Sequence, residues 1–402
     1  MIKFYTALTS EIDEPEEAAR EILMQLDPEK NALKNTIGII FFYRDFAKGD
    51  IWKRFIDAMP FEIAGCASPF SGACGQHGEF VISVIMFTSD DCYFSVRTVD
   101  DMDKKGRQDI KDEITKLGSE LYSPEKPKMV MPFLPPIPHY SINDIYLNLN
   151  TPEEDVKLFG MQVFNIIDSN NANYVLGNGK MSDSMCAFVA FYGNFKPEFH
   201  IGTSFKNDRT LGEEAEITES VGAILKSVNG IPALEYFRRK GLISSDNAET
   251  SMMAIPARLT YANGSKVGCA FLGTVRGTEY VFAARSLERG AKITLSYLES
   301  EETLLNAENQ IKEVIEAKRK DILIFISAAR VWSLGSNFFA ELQRIAGLAK
   351  ELETKNGEPF KYSAAYAGSE LCPVPAENGN YVNMSHNYTF AICSFNSGLN
   401  NE

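Results

Sequence analysis

No apolar run in this chain approaches the ~20 residues that cross a bilayer, and its opening, MIKFYTALTSEIDEPEE, turns acidic where a secretory leader needs a basic start. Seven cysteines, at 66, 74, 92, 186, 269, 372 and 393, include no CxxC pair, so neither a disulfide framework nor a cysteine zinc site has support. The four histidines (His77, His139, His200, His386) have no metal-ligand spacing. Positive charge is also scarce: 40 Lys+Arg against 54 Asp+Glu leave −14, which excludes a polybasic phosphate-binding surface as the default. Aromatic residues are not interleaved with Lys or Arg, so a nucleic-acid stacking platform is disfavoured. GxGxxG, HExxH and GxSxG are missing, and Gly177–Lys180 (GNGK) lacks the spacing of a phosphate loop. These absences describe a soluble, cytoplasmic protein with no membrane or nucleic-acid partner, no metal and an open oligomeric state.

What is present is core-forming material, 45% hydrophobic over 402 residues, more than one domain needs. Ile37–Tyr43 (IGIIFFY), Phe80–Thr88, Ser184–Tyr192 and Ile322–Ser327 (ILIFIS) are apolar on both faces, as strands of a covered sheet are. Apolar residues three and four apart predict helices over Glu16–Leu26, Gly106–Leu121, Glu301–Lys318 and Asn337–Leu352. Pro152–Ile167 also reads as a helix, with Thr151 as its cap. Met129–Leu134 contains Pro132 and lies among five prolines, which predicts an edge segment or stiff connector. Ala215–Val228 reads as a helix or long strand before a turn at Asn229-Gly230, after which Pro232 opens a helix to Lys240.

One order recurs along the chain. IGIIFFY leads through a helix to EIAGCASPFSG and a second apolar strand; ILIFISAAR leads through a helix to SAAYAGSELCP and FAICSF. A middle stretch repeats the order more weakly. The expected fold is therefore mixed α/β: two domains, 1–215 and 216–402, of repeated strand-helix-strand-strand units with mixed sheets.

Candidate ligand contacts lie where small residues or polar groups follow buried strands. Gly65-Cys66 and Gly368-Ser369-Glu370 are glycine turns that let a ligand or another backbone approach closely. Asn387 and Thr389 share one face at the start of the last strand. Arg330 follows a buried strand and offers a planar fork to a carboxylate, or an internal salt bridge to Glu370. Cys66 or Cys74 with His77 would make a nucleophilic pair, but nothing supplies an orienting third group.

Taken in order, Ala64-Gly65-Cys66, Asn229-Gly230-Ile231-Pro232-Ala233-Leu234-Glu235-Tyr236, Ser327-Ala328-Ala329-Arg330, Ala367-Gly368-Ser369-Glu370 and His386-Asn387-Tyr388-Thr389 resemble the FIST family. The resemblance spans nearly the whole chain, and the NGIPALEYF junction is its most specific piece. It implies a FIST N-terminal-like domain, a FIST C-terminal-like domain and a non-catalytic sensory module. Such a module binds an amino acid or similar carboxylate metabolite and signals through a separate protein partner. Arg330, Gly368, Glu370, Asn387 and Thr389 fall on family-pattern positions, whereas Asn173–Asp183 lacks the glycine pair that members usually show. Haem-based nitric-oxide sensing in some relatives is the alternative, with His386, His200 or His77 as axial ligand. An enzyme acting on a small carboxylate is the other.

Overall fold

The structure is a computed structural model that describes residues 1–137, 141–149, 156–164, 173–203, 205, 210–243, 255–275, 277–317, 319, 321–357, 360–375 and 381–395. It is a mixed α/β protein with four sheets.

Three of the sheets share one strand order and one set of directions. In the first, the order is Lys3–Thr9, Ile82–Ser89, Asn35–Phe42, Glu62–Ala67, then the hairpin Val175–Gly177/Lys180–Ser182. The second runs Tyr93–Val99, Cys186–Tyr192, Met129–Leu134, Gly160–Gln162, then Ser369–Pro375 and Tyr381–His386. The third runs Glu198–Thr203, Thr389–Ser394, Asp321–Ser327, Lys361–Ala367, then Ser71–Ala73 and Gln76–Gly78. In each, the third and fourth strands are parallel and the other pairings along that order are antiparallel; in the second sheet the short strand Lys157–Leu158 also pairs parallel with Met129–Leu134. The parallel connection passes through a helix each time: Ile51–Asp57, Ile142–Leu149 and Ala340–Asn356.

The closing hairpin of each sheet comes from another part of the chain. Residues 71–78 finish the third sheet, 175–182 the first and 369–386 the second. The three sheets thus meet around one core, where Phe41 and the equivalent Phe133 and Phe325 approach at ring-centroid distances of 6.1 Å and 5.8 Å. Edge-to-face packing of that kind adds about 0.5–1.5 kcal/mol per pair beyond burial.

Residues 210–296 form a separate, strongly curved β-body. Its sheet runs from Lys266–Cys269 round to Phe271–Thr274, and these two edge strands are joined through Ala270. It has its own core, with Phe237 of the helix Ala233–Arg239 against Phe271 at 5.0 Å. The boundary expected at residues 215/216 falls at its first long strand, Ala215–Val221, while strand pairing joins residues on both sides of that position in all three shared-order sheets but the first.

Several local expectations are corrected. The helix expected over Pro152–Ile167 is strand at Lys157–Leu158 and Gly160–Gln162; its cap, Thr151 to Glu154, lies outside the described residues. Val156 and Leu158 enter one core and Phe159, Met161 and Val163 the opposite one, so the segment is buried on both faces. Pro132 is interior and not at an edge, flanked by Phe188 and by Gly160. It has no N–H to lose, and a Cβ on Gly160 would lie 2.2 Å from the Pro132 carbonyl, so glycine is what admits the ring. Ala215–Val228 is a hairpin of two strands turning at Gly222. Pro232 stands one residue before the helix Ala233–Arg239, with Asn229 and Gly230 both left-handed in the turn.

Candidate functional site

Arg330, Gly368, Ser369, Glu370, Asn387 and Thr389 come together around one tight turn. Tyr388, at its centre, is held left-handed with φ of 60°, a conformation that costs a non-glycine residue energy and persists only when its surroundings enforce it. The enforcement is visible. Tyr388 N–H donates to Ser327 Oγ at 2.8 Å, and the Tyr388 carbonyl accepts from Arg330 Nη1 at 3.3 Å. Asn387 Nδ2 donates to the Gly368 carbonyl and to Ser369 Oγ, and its Oδ1 accepts the Ala270 N–H at 3.2 Å. Asn387 therefore ties the 369–386 hairpin to the β-body.

Arg330 is wholly buried, and all five of its N–H donors are engaged within the chain. Nε and Nη2 go to Glu341 Oε1 at 3.0 and 2.7 Å, Nη2 also to the Thr303 carbonyl, and Nη1 to Asn306 Oδ1 and Tyr388 O. The internal salt bridge is made, but with Glu341 and not with Glu370. Glu370 is buried too, opposite Met161 in the neighbouring strand, on the face of the three-sheet core. Its Oε2 accepts the Thr389 hydroxyl at 2.6 Å, and Oε1 meets no donor. Burial raises its pKa well above the usual carboxylate range, against the opposing pull of Thr389, Ser327 and Arg330.

Gly65 and Cys66 lie elsewhere, in a strand between Asn35–Phe42 and the 175–177 strand. A Cβ on Gly65 would sit 2.0 Å from the Ile40 carbonyl, so this glycine serves backbone packing. Burial pushes the Cys66 thiol far up, and Cys74 is raised as well. A thiolate nucleophile is disfavoured at both positions. His386 is buried, with Nε2 against the Cys372 carbonyl at 3.1 Å. Burial, then the charge of Arg285, lowers its pKa to about 3.

A partly open cavity of about 290 Å3 lies beside this turn, between the β-body and the middle sheet's helix Ile142–Leu149. Ser141 and Ser286 hydrogen-bond across it at 2.6 Å, and Asp144 pairs with Arg107 at 3.3 Å on its wall. Gln162, also on the wall, accepts the Gly368 N–H through its carbonyl at 2.8 Å. Apolar surface comes from Ile142, Leu272 and Phe282. None of Arg107, Ser141, Asp144, Gln162 or Ser286 is marked by a sequence motif. The signal that was there is a tripeptide: Ala-Ala-Arg closes both 283–285 and 328–330. A wider, open groove of about 860 Å3 runs past Met24, Pro28 and Phe61, lined by no buried polar side chain.

His77, His200 and His386 line neither cavity, so the residues present do not fit a haem there. Among the described residues, no group of three or more His, Cys, Asp or Glu side chains is placed to hold a metal ion. Among the described residues, no helix is long and apolar enough to cross a membrane.

The family description "FIST N domain" matches residues 36–231. No curated protein matches the chain. Among solved structures, phosphoribosylformylglycinamidine synthase II from Thermotoga maritima aligns over 98% of this chain and 72% of its own. Its identity is 8% and its TM-score 0.20, too low to assign a shared fold. Residues 36–231, just under half of the chain, are thus similar to the FIST N domain, in agreement with the motifs read from the sequence.

Proposed function

We propose that this module binds a small molecule, an amino acid or similar carboxylate metabolite, in the 290 Å3 cavity and passes the event to a signalling protein partner. The observation that carries the reading is the Ser141–Ser286 bond, which joins two lining residues of a cavity between two separately cored bodies. A ligand there competes for both hydroxyls, and so changes how the bodies are held together. Arg107 and Asp144 supply a guanidinium for a carboxylate and a carboxylate for an amine, while Phe282 and Leu272 cover an apolar side chain.

Gly368, Ser369, Glu370, Asn387 and Thr389 then act as the layer behind the ligand. Gly368 reaches the wall through Gln162, and Asn387 reaches it through Ala270, whose carbonyl accepts the N–H of the lining residue Ala284. Arg330 anchors the turn through its carbonyl contact with Tyr388, and Gly65-Cys66 support the scaffold. Residues 1–215 and 216–402 are read as the N-terminal-like and C-terminal-like FIST parts. The common strand order of three sheets favours an origin by repetition. Seven free cysteines suit a reducing cytoplasm.

A calorimetric screen of the amino acids and their des-amino carboxylates tests the reading, repeated on S141A and D144N. Loss of binding by about tenfold or more in these variants, roughly 1.4 kcal/mol, is expected. A ligand whose affinity both variants keep lies somewhere else.

A further inference from the structure

Arg285 is the one fully buried cation besides Arg330 among the described residues, and its surroundings are opposite in kind. Arg330 has Glu341; Arg285 makes no ion pair among the described residues. Its Nη1 donates to the Ser385 carbonyl at 2.6 Å, its guanidinium lies 5.7 Å from the Tyr261 ring centre, and its Nε has no acceptor. Tyr146, Tyr261, Cys269 and His386 feel its charge; Glu288 acts on both tyrosines and Asp144 on Tyr146, but neither makes an ion pair with it. Burial pushes Tyr261 and Cys269 up to about 12 and raises Tyr146, and His386 is held down at about 3. A lone buried cation is costly unless an opposite charge accompanies it.

Its position says where that charge would be. Arg285 comes from the β-body, whereas Ser385 and Tyr146 belong to the three-sheet body, so the guanidinium lies on the seam between the two. Ala284 and Ser286, on either side of it, both line the 290 Å3 cavity. Arg285 itself is not a lining residue; the cation that does line the cavity, Arg107, pairs with Asp144. The seam at Arg285 is therefore short of one negative charge, and Arg285 Nε is short of one acceptor.

We infer that the seam holds a monovalent anion, a carboxylate or a halide, whose charge is matched by Arg285. Where the anion is the carboxylate of the bound metabolite, the inference rests on the function proposed above. It then adds that the preferred ligand carries one more negative than positive charge. Arg285 supplies the field that draws it in, and Asp144 disfavours any second negative group.

The test is thermal unfolding of the full chain in bromide or formate, with gluconate keeping ionic strength constant. The wild type is expected to gain about 2 °C or more on saturation, the R285Q variant nothing. Should R285Q not fold, R285K, which keeps the charge, is expected to retain the anion response, and the wild-type titration stands alone. A second arm compares 4-methylpentanoate, leucine and leucinamide. Carboxylates that displace bromide identify the anion as the ligand's head group, whereas a bromide response that carboxylates leave untouched identifies an inorganic-anion site; each supports the inference. A wild type that ignores all small anions overturns it, as does an R285Q variant that responds as the wild type does, or a folded R285K that has lost the response. If the screen finds a ligand, leucinamide binds as well as 4-methylpentanoate and bromide has no effect, this inference fails and the proposed function survives. If bromide acts and no metabolite binds, the reverse holds.

Discussion

Arg330 and Glu370 follow neighbouring parallel strands, yet they make no ion pair. Arg330 holds Glu341 at 2.7 Å, and Glu370 takes the Thr389 hydroxyl at 2.6 Å. The guanidinium lies by Phe390 in the core under the helices, and Glu370 is in register with Met161 in the core between the sheets. Each group has its own partner on its own side.

The Arg330–Glu341 pair is fully desolvated, so removing one member strands the other. R330A is expected to lose about 3–5 kcal/mol in chemical denaturation. R330K is expected to recover only part, because an ammonium cannot reach Glu341, Thr303, Asn306 and Tyr388 together. Metabolite affinity of folded R330K should match the wild type; a large loss would restore Arg330 as a ligand contact.

Glu370 makes stability depend on pH in one direction. Its pKa in the folded protein lies well above the unfolded value. Between the two the folded state keeps a proton that the unfolded state releases, so stability falls as pH rises. The contribution is fully present below the unfolded pKa of about 4.3 and is lost as pH climbs through the folded one. E370Q cannot ionise. Its stability relative to wild type should therefore grow with pH, by at most ~1.4 kcal/mol per unit. Urea titrations from pH 5 to 9 check it, and parallel curves would show that Glu370 is ionised in the fold.

Two glycines should respond in opposite senses to alanine. At Gly268 the added Cβ would lie 2.0 Å from the Asn387 carbonyl, where the β-body meets the turn. G268A is expected to cost about 1–3 kcal/mol or more and to accelerate amide exchange in the strands 257–260 and 266–269. Gly347 lies inside the helix Ala340–Asn356 with nothing within 4 Å of its missing Cβ. G347A should stabilise by about 0.5–1 kcal/mol.

Asn387 makes three hydrogen bonds that alanine would abolish. At about 1 kcal/mol each, N387A should lose roughly 3 kcal/mol, with the Ala270 amide losing exchange protection before the strand 321–327 does. Simultaneous loss at both would mean that the turn does not govern the seam.

The strands at 35–42 and 321–327 were legible because a segment apolar on both faces has few places to go except the middle of a covered sheet. The same property misled at Val156–Val163. There, apolar residues facing two different cores fall at spacings that a helix would also produce. The cluster around Tyr388 was legible as a set of motifs. Arg330's partner was not, since which face of helix 340–356 meets the sheet is decided by packing. Gly65 echoed Gly368 in sequence, but one admits the Ile40 carbonyl and the other lies against Phe164. Arg285 drew no attention, because a three-residue strand, Val281–Ala283, gives little warning that the next arginine is buried.

The exchange of closing hairpins bears on how this protein can be made. On a ribosome the 71–78 hairpin emerges with the first sheet, but the strand it completes, Lys361–Ala367, comes far later; Ser68 waits for Tyr366 across 298 residues. Until then an early strand edge is unpaired and open to the wrong neighbour, a known route to aggregation. The final strand, Thr389–Ser394, inserts between Glu198–Thr203 and Asp321–Ser327. A nascent chain stalled before that strand would thus carry a gap in the middle of a sheet, and truncations there should accumulate with chaperones as unfinished molecules.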